Sequence, residues 1–181
     1  MEFLRNDLAD VILVKPDVHA DHRGFFLESY SKTRFAENGI PDEFVQDNHS
    51  CSLQRPVLRG LHFQRPPFTQ SKLIRVIRGS IWDVVVDLRK SSPTFGKWSA
   101  FELSGKNFHL LYVPMGFAHG FCTLEEDTEV EYKVNKVYSP SHDGGIRWND
   151  PDLAVTWPIT TPILSKKDEA LPFLRDFTNP F

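Results

Sequence analysis

Cysteine is scarce in this sequence, with two residues among 181. Cys51 and Cys122 belong to no spacing that is typical of a metal-binding or redox site, and two cysteines cannot build a disulfide framework. We therefore predict that neither disulfides nor thiol-bound metal hold the fold together, and we expect both side chains to act as small buried hydrophobic groups.

The sequence also lacks an excess of positive charge and any long apolar run. The formal net charge is −3, so there is no surplus of lysine and arginine to neutralise nucleic acid or an anionic membrane. No stretch approaches the roughly 20 apolar residues of a membrane-spanning helix, and the polar N-terminal residues lack the apolar core of a signal peptide. We expect a cytoplasmic protein without nucleic-acid or membrane partners, in which a few placed cations meet any anionic ligand.

The usual patterns for a bound metal or dinucleotide are missing as well. Two histidines at positions i and i+2 of a strand would face one ion, but none of the seven histidines has this spacing. His19 and His22 lie three apart in a loop-like setting without further ligands nearby. There is no Walker pattern, no dinucleotide glycine fingerprint and no nucleophile elbow. We predict no metal and no nicotinamide or flavin cofactor.

The sequence does contain many short strand patterns, separated by 13 prolines and 10 glycines. Because no low-complexity linker divides them, we predict one domain over residues 1–181, and the spacing favours a β-sandwich or barrel. Helix patterns are confined to residues 31–38, closed by Gly39, and to a segment that opens at Ser165, where Asp168 fits a capping box. Two apolar runs within residues 73–88 predict a hairpin or bend, and further strands are expected near residues 11–15, 25–30, 57–64, 98–103, 109–113, 118–123 and 128–138.

Strand periodicity places several polar side chains among apolar ones. In residues 129–134 the charges share one face and Tyr132 lies on the apolar face, so its phenol points inward and needs a partner. Lys72 shares a face with Ile74, and if that face is interior the ammonium group lies in a pocket. Glu28 shares a face with its aromatic neighbours. Candidate inward-facing groups thus carry both signs of charge.

Residues 57–64 are the most informative segment, because they place Arg59 and His62 in an apolar strand. Burying such groups is costly unless something pairs with them, which indicates a site. Every candidate also has a structural explanation: a satisfied core residue for His62 and Tyr132, a helix cap for Asp168, a surface or ion-pair arginine for Arg23 and Arg59, and a space-filling residue between aromatics for His119.

Several sequence blocks follow one another along nearly the whole chain: Asp21–Gly24 with Phe26 and Glu28; Gln46–Asn48 with Ser50; Leu58–Gln64; Gln70 with Lys72 and Leu73; Asp87–Arg89; Ser92–Gly96; Gly116–Phe121; and Ile146–Pro151. Together these blocks resemble the nucleotide-sugar 3,5-epimerases of rhamnose biosynthesis. The resemblance implies an all-β, cupin-like jelly-roll barrel with a few short helices, a homodimer, a small nucleotide-sugar substrate and no cofactor.

The same resemblance implies roles for individual residues. His62 matches the base that removes the proton next to the ketone of a 4-keto sugar, and Asp168 matches the aspartate that orients it. Tyr132 matches the acid on the opposite face of the sugar, and Lys72 the group that stabilises the enolate oxygen. The implied substrate-binding residues are Arg23, Glu28, Gln46, Asn48, Arg59, His119, Asp143 and Lys167.

Two departures from the family pattern leave the exact activity open. Phe63 stands where many members have tyrosine, and Asp143 where a glutamate is usual, which shortens a possible substrate contact. The first alternative is a single-site epimerase that inverts only carbon 3 or carbon 5 of a related sugar. Two others are a non-catalytic sugar-binding module and a metal-dependent cupin enzyme.

Overall fold

A computed structural model describes residues 1–8 and 10–181. Two α-helices, α1 (Lys32–Glu37) and α2 (Lys166–Glu169), and two 3-10 helices, Pro140–His142 and Leu174–Asp176, accompany the strands in this part of the chain. None of the described helices is long and apolar enough to cross a membrane. The described strands are β1 (Glu2–Arg5), β2 (Ile12–Lys15), β3 (Val18–Asp21), β4 (Gly24–Leu27), β5 (Gln46–Ser52), β6 (Leu58–Gln64), β7 (Lys72–Arg78), β8 (Ser80–Asp87), β9 (Trp98–Ser104), β10 (Leu110–Val113), β11 (Phe117–Thr123), β12 (Thr128–Val134) and β13 (Asp143–Gly145).

The strands form two facing antiparallel sheets and one separate hairpin. One sheet has the order β1-β2-β10-β7-β12-β5, the other has the order β13-β6-β11-β8-β9, and β3 pairs only with β4. Apolar side chains of both sheets meet in one core, with Ile74 and Val130 from the first sheet and Val85 and Phe121 from the second. The predicted all-β, cupin-like jelly roll with few short helices is thus confirmed.

The outer faces of both sheets are partly covered, which explains strands that are apolar on two sides. Trp157 and Phe177, from the C-terminal part of the chain, pack against the apolar cluster that includes Val84 and Val86 of β8. Helix α1 places Phe35 in the apolar cluster that includes Leu73, on the outer face of the other sheet. Successive strand residues point to opposite faces. When one set of residues of β7 or β8 packs against these outer segments, the alternate residues therefore point into the space between the sheets.

The predicted hairpin and both predicted helices are present, but three expectations need correction. The strand predicted for 25–30 ends at Leu27 and the one predicted for 128–138 ends at Val134. Strand β5 was missed, because its alternation is between polar residues rather than between polar and apolar ones. Cys51 lies on β5 and is exposed, so only Cys122 is buried as expected.

A bulge in β6 decides which of its side chains reach the interior. His119 and Phe121 of β11 are two residues apart, yet they pair with His62 and Arg59, which are three apart. The extra residue shifts the alternation, so that Arg59 and His62 line the same cavity. Glycine is required at this point, because a Cβ atom on Gly60 would lie 2.5 Å from the Cα atom of Gly120.

Candidate active site

A cavity of about 530 Å³ opens between the two sheets. Strands β5, β7 and β12 contribute from one sheet, β6, β11 and β13 from the other, and the segment around α2 closes one side. The polar residues that line it are Gln46, Asn48, Ser50, Arg59, His62, Gln64, Gln70, Lys72, His119, Tyr132, Tyr138, Asp143, Ser165, Lys167 and Asp168. Ten of the twelve residues implicated by sequence are in this set; Arg23 and Glu28 are the exceptions.

His62 and Asp168 form a hydrogen-bonded pair at the wall of the cavity. The Nε2–H group of His62 donates to Oδ1 of Asp168 at 2.5 Å, and the Ser165 hydroxyl donates to Oδ2 at 2.8 Å. Burial would raise the pKa of Asp168, but the hydrogen bonds from His62 and Ser165 and the positive charge of Lys167 outweigh it, so that the pKa lies below its ordinary value. Asp168 is therefore a carboxylate that fixes the imidazole.

The helix-cap explanation of Asp168 holds at the same time. Its backbone N–H donates to Ser165 Oγ at 3.1 Å, as expected at the start of α2, while its side chain points to His62. The short helix thus positions the carboxylate as well as being capped by the serine.

Tyr132 and Lys72 enter the cavity from the opposite sheet. Burial raises the pKa of Tyr132, partly opposed by the charge of Arg59, so the phenol keeps its proton. Burial lowers the pKa of Lys72 to about 8, opposed by the negative charges of Asp143 and Asp83. Both inward orientations agree with the predictions from strand periodicity.

The rim of the cavity is organised by hydrogen bonds between its polar side chains. Lys167 and the Tyr138 hydroxyl both donate to Oδ2 of Asp143, the latter at 3.0 Å. Gln46 donates from Nε2 to Oδ1 of Asn48 at 2.8 Å. Sequence reasoning did not select Tyr138, although it has the same parity as Tyr132 in the strand predicted for 128–138; the observed strand ends at Val134.

Arg23 and Glu28 lie apart from the cavity of their own chain. Arg23 is in the β3–β4 hairpin and pairs with Asp21 at 2.6 Å, and Glu28 pairs with Arg34 at 3.2 Å. Phe25 and Phe26 in the same hairpin are 59% and 71% exposed. A single chain therefore does not bring these two predicted ligands to the other ten.

Within residues 1–8 and 10–181, no three His, Cys, Asp or Glu residues are grouped so that they could hold a metal ion. The groups that the cavity does offer are a held imidazole, a phenol, an ammonium group and several amides. Such a set can move protons and bind an anionic ligand.

Comparison with known proteins gives concordant matches. The family model described as dTDP-4-dehydrorhamnose 3,5-epimerase matches residues 5–176. The protein of that name from Shigella flexneri is 48% identical over 169 residues, which are 93% of this chain and 93% of the relative.

Solved structures match over the whole fold. The dTDP-4-dehydrorhamnose 3,5-epimerase of Bacillus anthracis, with TDP and PPi bound, superimposes with a TM-score of 0.94 at 51% identity, covering 96% of this chain and 99% of that one. The dTDP-6-deoxy-D-glucose-3,5-epimerase of Legionella pneumophila, in complex with dTDP-4-keto-L-rhamnose, has a TM-score of 0.92 at 42% identity, covering 96% and 93%.

Proposed function

The chain belongs to the dTDP-4-dehydrorhamnose 3,5-epimerase family, and on this premise we propose that it converts dTDP-4-keto-6-deoxy-D-glucose into dTDP-4-keto-L-rhamnose. It is an isomerase of dTDP-rhamnose biosynthesis that inverts carbons 3 and 5 on either side of the ketone. Each inversion removes one proton and returns one to the other face, so the reaction needs neither an oxidant nor a bound cofactor.

His62 is the proposed base. The hydrogen bond at 2.5 Å to the buried Asp168 holds the ring and stabilises the imidazolium that forms when the sugar proton is taken. Because Nε2 is occupied by Asp168, Nδ1 is the nitrogen left for the substrate.

Tyr132 is the proposed acid, and its position is the observation that carries the proposal. Inversion requires a proton to leave from one face of the sugar and another to arrive on the opposite face. His62 lies on β6 of one sheet and Tyr132 on β12 of the other, and both line the same cavity. A sugar ring bound between the sheets would present one face to each residue.

The anionic end of the substrate requires positively charged side chains at the cavity, because the protein as a whole carries a net charge of −3. We assign this role to Arg59 and Lys167, with Gln46 and Asn48 as hydrogen-bonding partners and His119 near the sugar. Asp143 is engaged by Lys167 and Tyr138, so it acts on the substrate through them.

Arg23 and Glu28 fulfil the proposed binding role only if a second copy of the chain contributes them. The β3–β4 hairpin forms its own two-stranded sheet and exposes two phenylalanines, as expected of an element that is covered in a homodimer. We therefore propose a homodimer, and a monomeric mass by light scattering would contradict it. The net charge of −3 supports the proposal that neither nucleic acid nor a membrane is a partner.

The activity is tested by incubating the protein with dTDP-4-keto-6-deoxy-D-glucose in heavy water and locating deuterium by NMR. We expect deuterium at both carbons 3 and 5 of the product. Deuterium at one carbon would instead identify a single-site epimerase, and no deuterium would contradict the proposal.

Lys72 is expected to impose an alkaline limit on the reaction. Its buried ammonium group has a pKa of about 8 and is the proposed donor to the enolate oxygen. As the pH rises through 8 the donor of the free protein loses its proton, so kcat/KM should fall. In Lys72→Arg the guanidinium stays charged, and this fall should be absent up to about pH 10 even if kcat/KM is lower throughout. An identical alkaline limb in both proteins would show that another group titrates.

A further inference from the structure

Asp83 is a buried carboxylate that the mechanism so far leaves without a role. It lies on β8, its side chain is 0% exposed, and both of its oxygens accept from Nε2–H of His119, at 2.9 and 3.0 Å. A buried charge is costly unless it is paired, so this carboxylate and the imidazole depend on one another.

The His119–Asp83 pair repeats the arrangement of His62 and Asp168. His119 and His62 are direct partners across β11 and β6, and both line the cavity. Each donates from Nε2 to a buried aspartate, and within residues 1–8 and 10–181 no hydrogen bond from another side chain occupies Nδ1 of either ring. Two histidine–aspartate pairs therefore stand side by side, with the same nitrogen left free for a ligand.

Asp83 also acts electrostatically on Lys72. Burial raises the pKa of Asp83, and the positive charges of His119 and Lys72 oppose this rise. Conversely, Asp83 is one of the two carboxylates that support the charged form of Lys72. Asp83 therefore interacts with His119 of one sheet and with Lys72 of the other, and both of these side chains can donate a hydrogen bond to a substrate oxygen.

We propose that Asp83 is a positioning residue that holds His119 with Nδ1–H directed into the cavity, so that His119 and Lys72 together donate to the ketone oxygen as it becomes an enolate. The inference rests on the proposed function. Donation from Nε2 to Asp83 and from Nδ1 to the substrate uses both ring nitrogens as donors, which is the hydrogen-bonding pattern of an imidazolium ring.

The ketone oxygen fits this place better than the diphosphate does. In the substrate, the oxygen is attached to the carbon next to the one that loses its proton, so it must lie close to His62. His119 is the cross-strand partner of His62, whereas the cation Arg59 pairs with Phe121 further along β11. His119 is thus at the reacting end of the cavity.

The test compares Asp83→Asn with Asp87→Asn. Both aspartates are fully buried on β8, but Asp87 accepts from Arg89, Ser92 and Thr94, whereas Asp83 accepts from His119 of the cavity wall. For Asp83→Asn we expect kcat to fall about 10- to 100-fold with KM changed less than about threefold, since a donor to the transition state is misplaced rather than removed. For Asp87→Asn we expect lower stability and unchanged kcat and KM. Normal kcat in Asp83→Asn would overturn the proposal.

A double variant tests whether Asp83 acts through His119. If it does, Asp83→Asn combined with His119→Gln should lose little more than His119→Gln alone, because the two changes remove one interaction. Full multiplication of the two losses would contradict the proposal. If the parent protein itself shows no exchange of deuterium into the sugar, the proposed function has failed and not the role of Asp83.

Nitrogen-15 NMR of the unaltered protein supplies a readout that does not depend on activity or on a variant's folding. We expect protons on both Nδ1 and Nε2 of His119 in the unaltered protein, and a change of the His119 nitrogen resonances to those of another tautomer or charge state in Asp83→Asn. A His119 ring in which either nitrogen lacks its proton would overturn the proposal.

Discussion

Replacing His62 with alanine is expected to lower kcat by about 1,000-fold and to abolish the entry of deuterium at both carbons 3 and 5. A carboxylate oxygen at 2.5 Å holds this imidazole, which is the base of the proposed mechanism. Without the imidazole neither carbon can lose its proton, so deuterium should be absent from the recovered substrate as well as from the product. The measurement is the steady-state rate together with NMR of the recovered sugar in heavy water.

The matched control is His49→Ala. His49 lies on β5, is exposed and pairs with Glu129 at 3.1 Å, outside the lining of the cavity. It should keep the full rate and deuterium at both carbons. Deuterium incorporation by His62→Ala at the parent rate would contradict the assignment of the base.

Changing Tyr132 to phenylalanine is expected to separate proton removal from inversion. The variant keeps the ring that packs against the core and loses only the hydroxyl that supplies the proton on the second face. His62 can still remove a proton and return a deuteron to the same face. We therefore expect deuterium in recovered substrate of unchanged configuration, while formation of the inverted sugar falls roughly 100- to 1,000-fold.

Tyr30→Phe serves as the control for loss of a phenol. Tyr30 packs against Phe35 and Phe44 away from the cavity, so its variant should invert both carbons at the parent rate. If Tyr132→Phe also inverts at the parent rate, another group or water must be the acid. If it shows neither exchange nor inversion although it is folded, Tyr132 must take part in proton removal as well.

Much of the site could be predicted from the alternation of polar and apolar residues along its strands. The alternation in residues 129–134 places Tyr132 inside, and the same rule places Lys72 beside Ile74; both side chains line the cavity. The rule works there because β7 and β12 are regular strands with apolar neighbours. It fails for β5, whose inward residues are Gln46 and Asn48 and carry no apolar pattern.

Other parts of the site have no local signal at all. Asp83 lies on the same strand as Asp87, and alternation puts both on one face, yet only Asp83 meets His119. The bulge in β6 is likewise invisible in the sequence, although it brings Arg59 and His62 to the same side. Such pairings depend on which strands become neighbours, and that is set by the packing of the two sheets.

The sequence by itself determined the all-β fold class, the helix start at Ser165 and the inward orientation of Tyr132 and Lys72, because periodicity, capping and turn residues are local properties. The resemblance of its blocks to a known family added their roles. Only the tertiary structure decided that Asp168 meets His62 across 106 positions of chain, that base and acid come from opposite sheets, and that Arg23 and Glu28 lie away from their own cavity. Hydrogen bonds and electrostatic contacts act over a few ångströms, and such distances between residues far apart in the chain exist only after the sheets have packed.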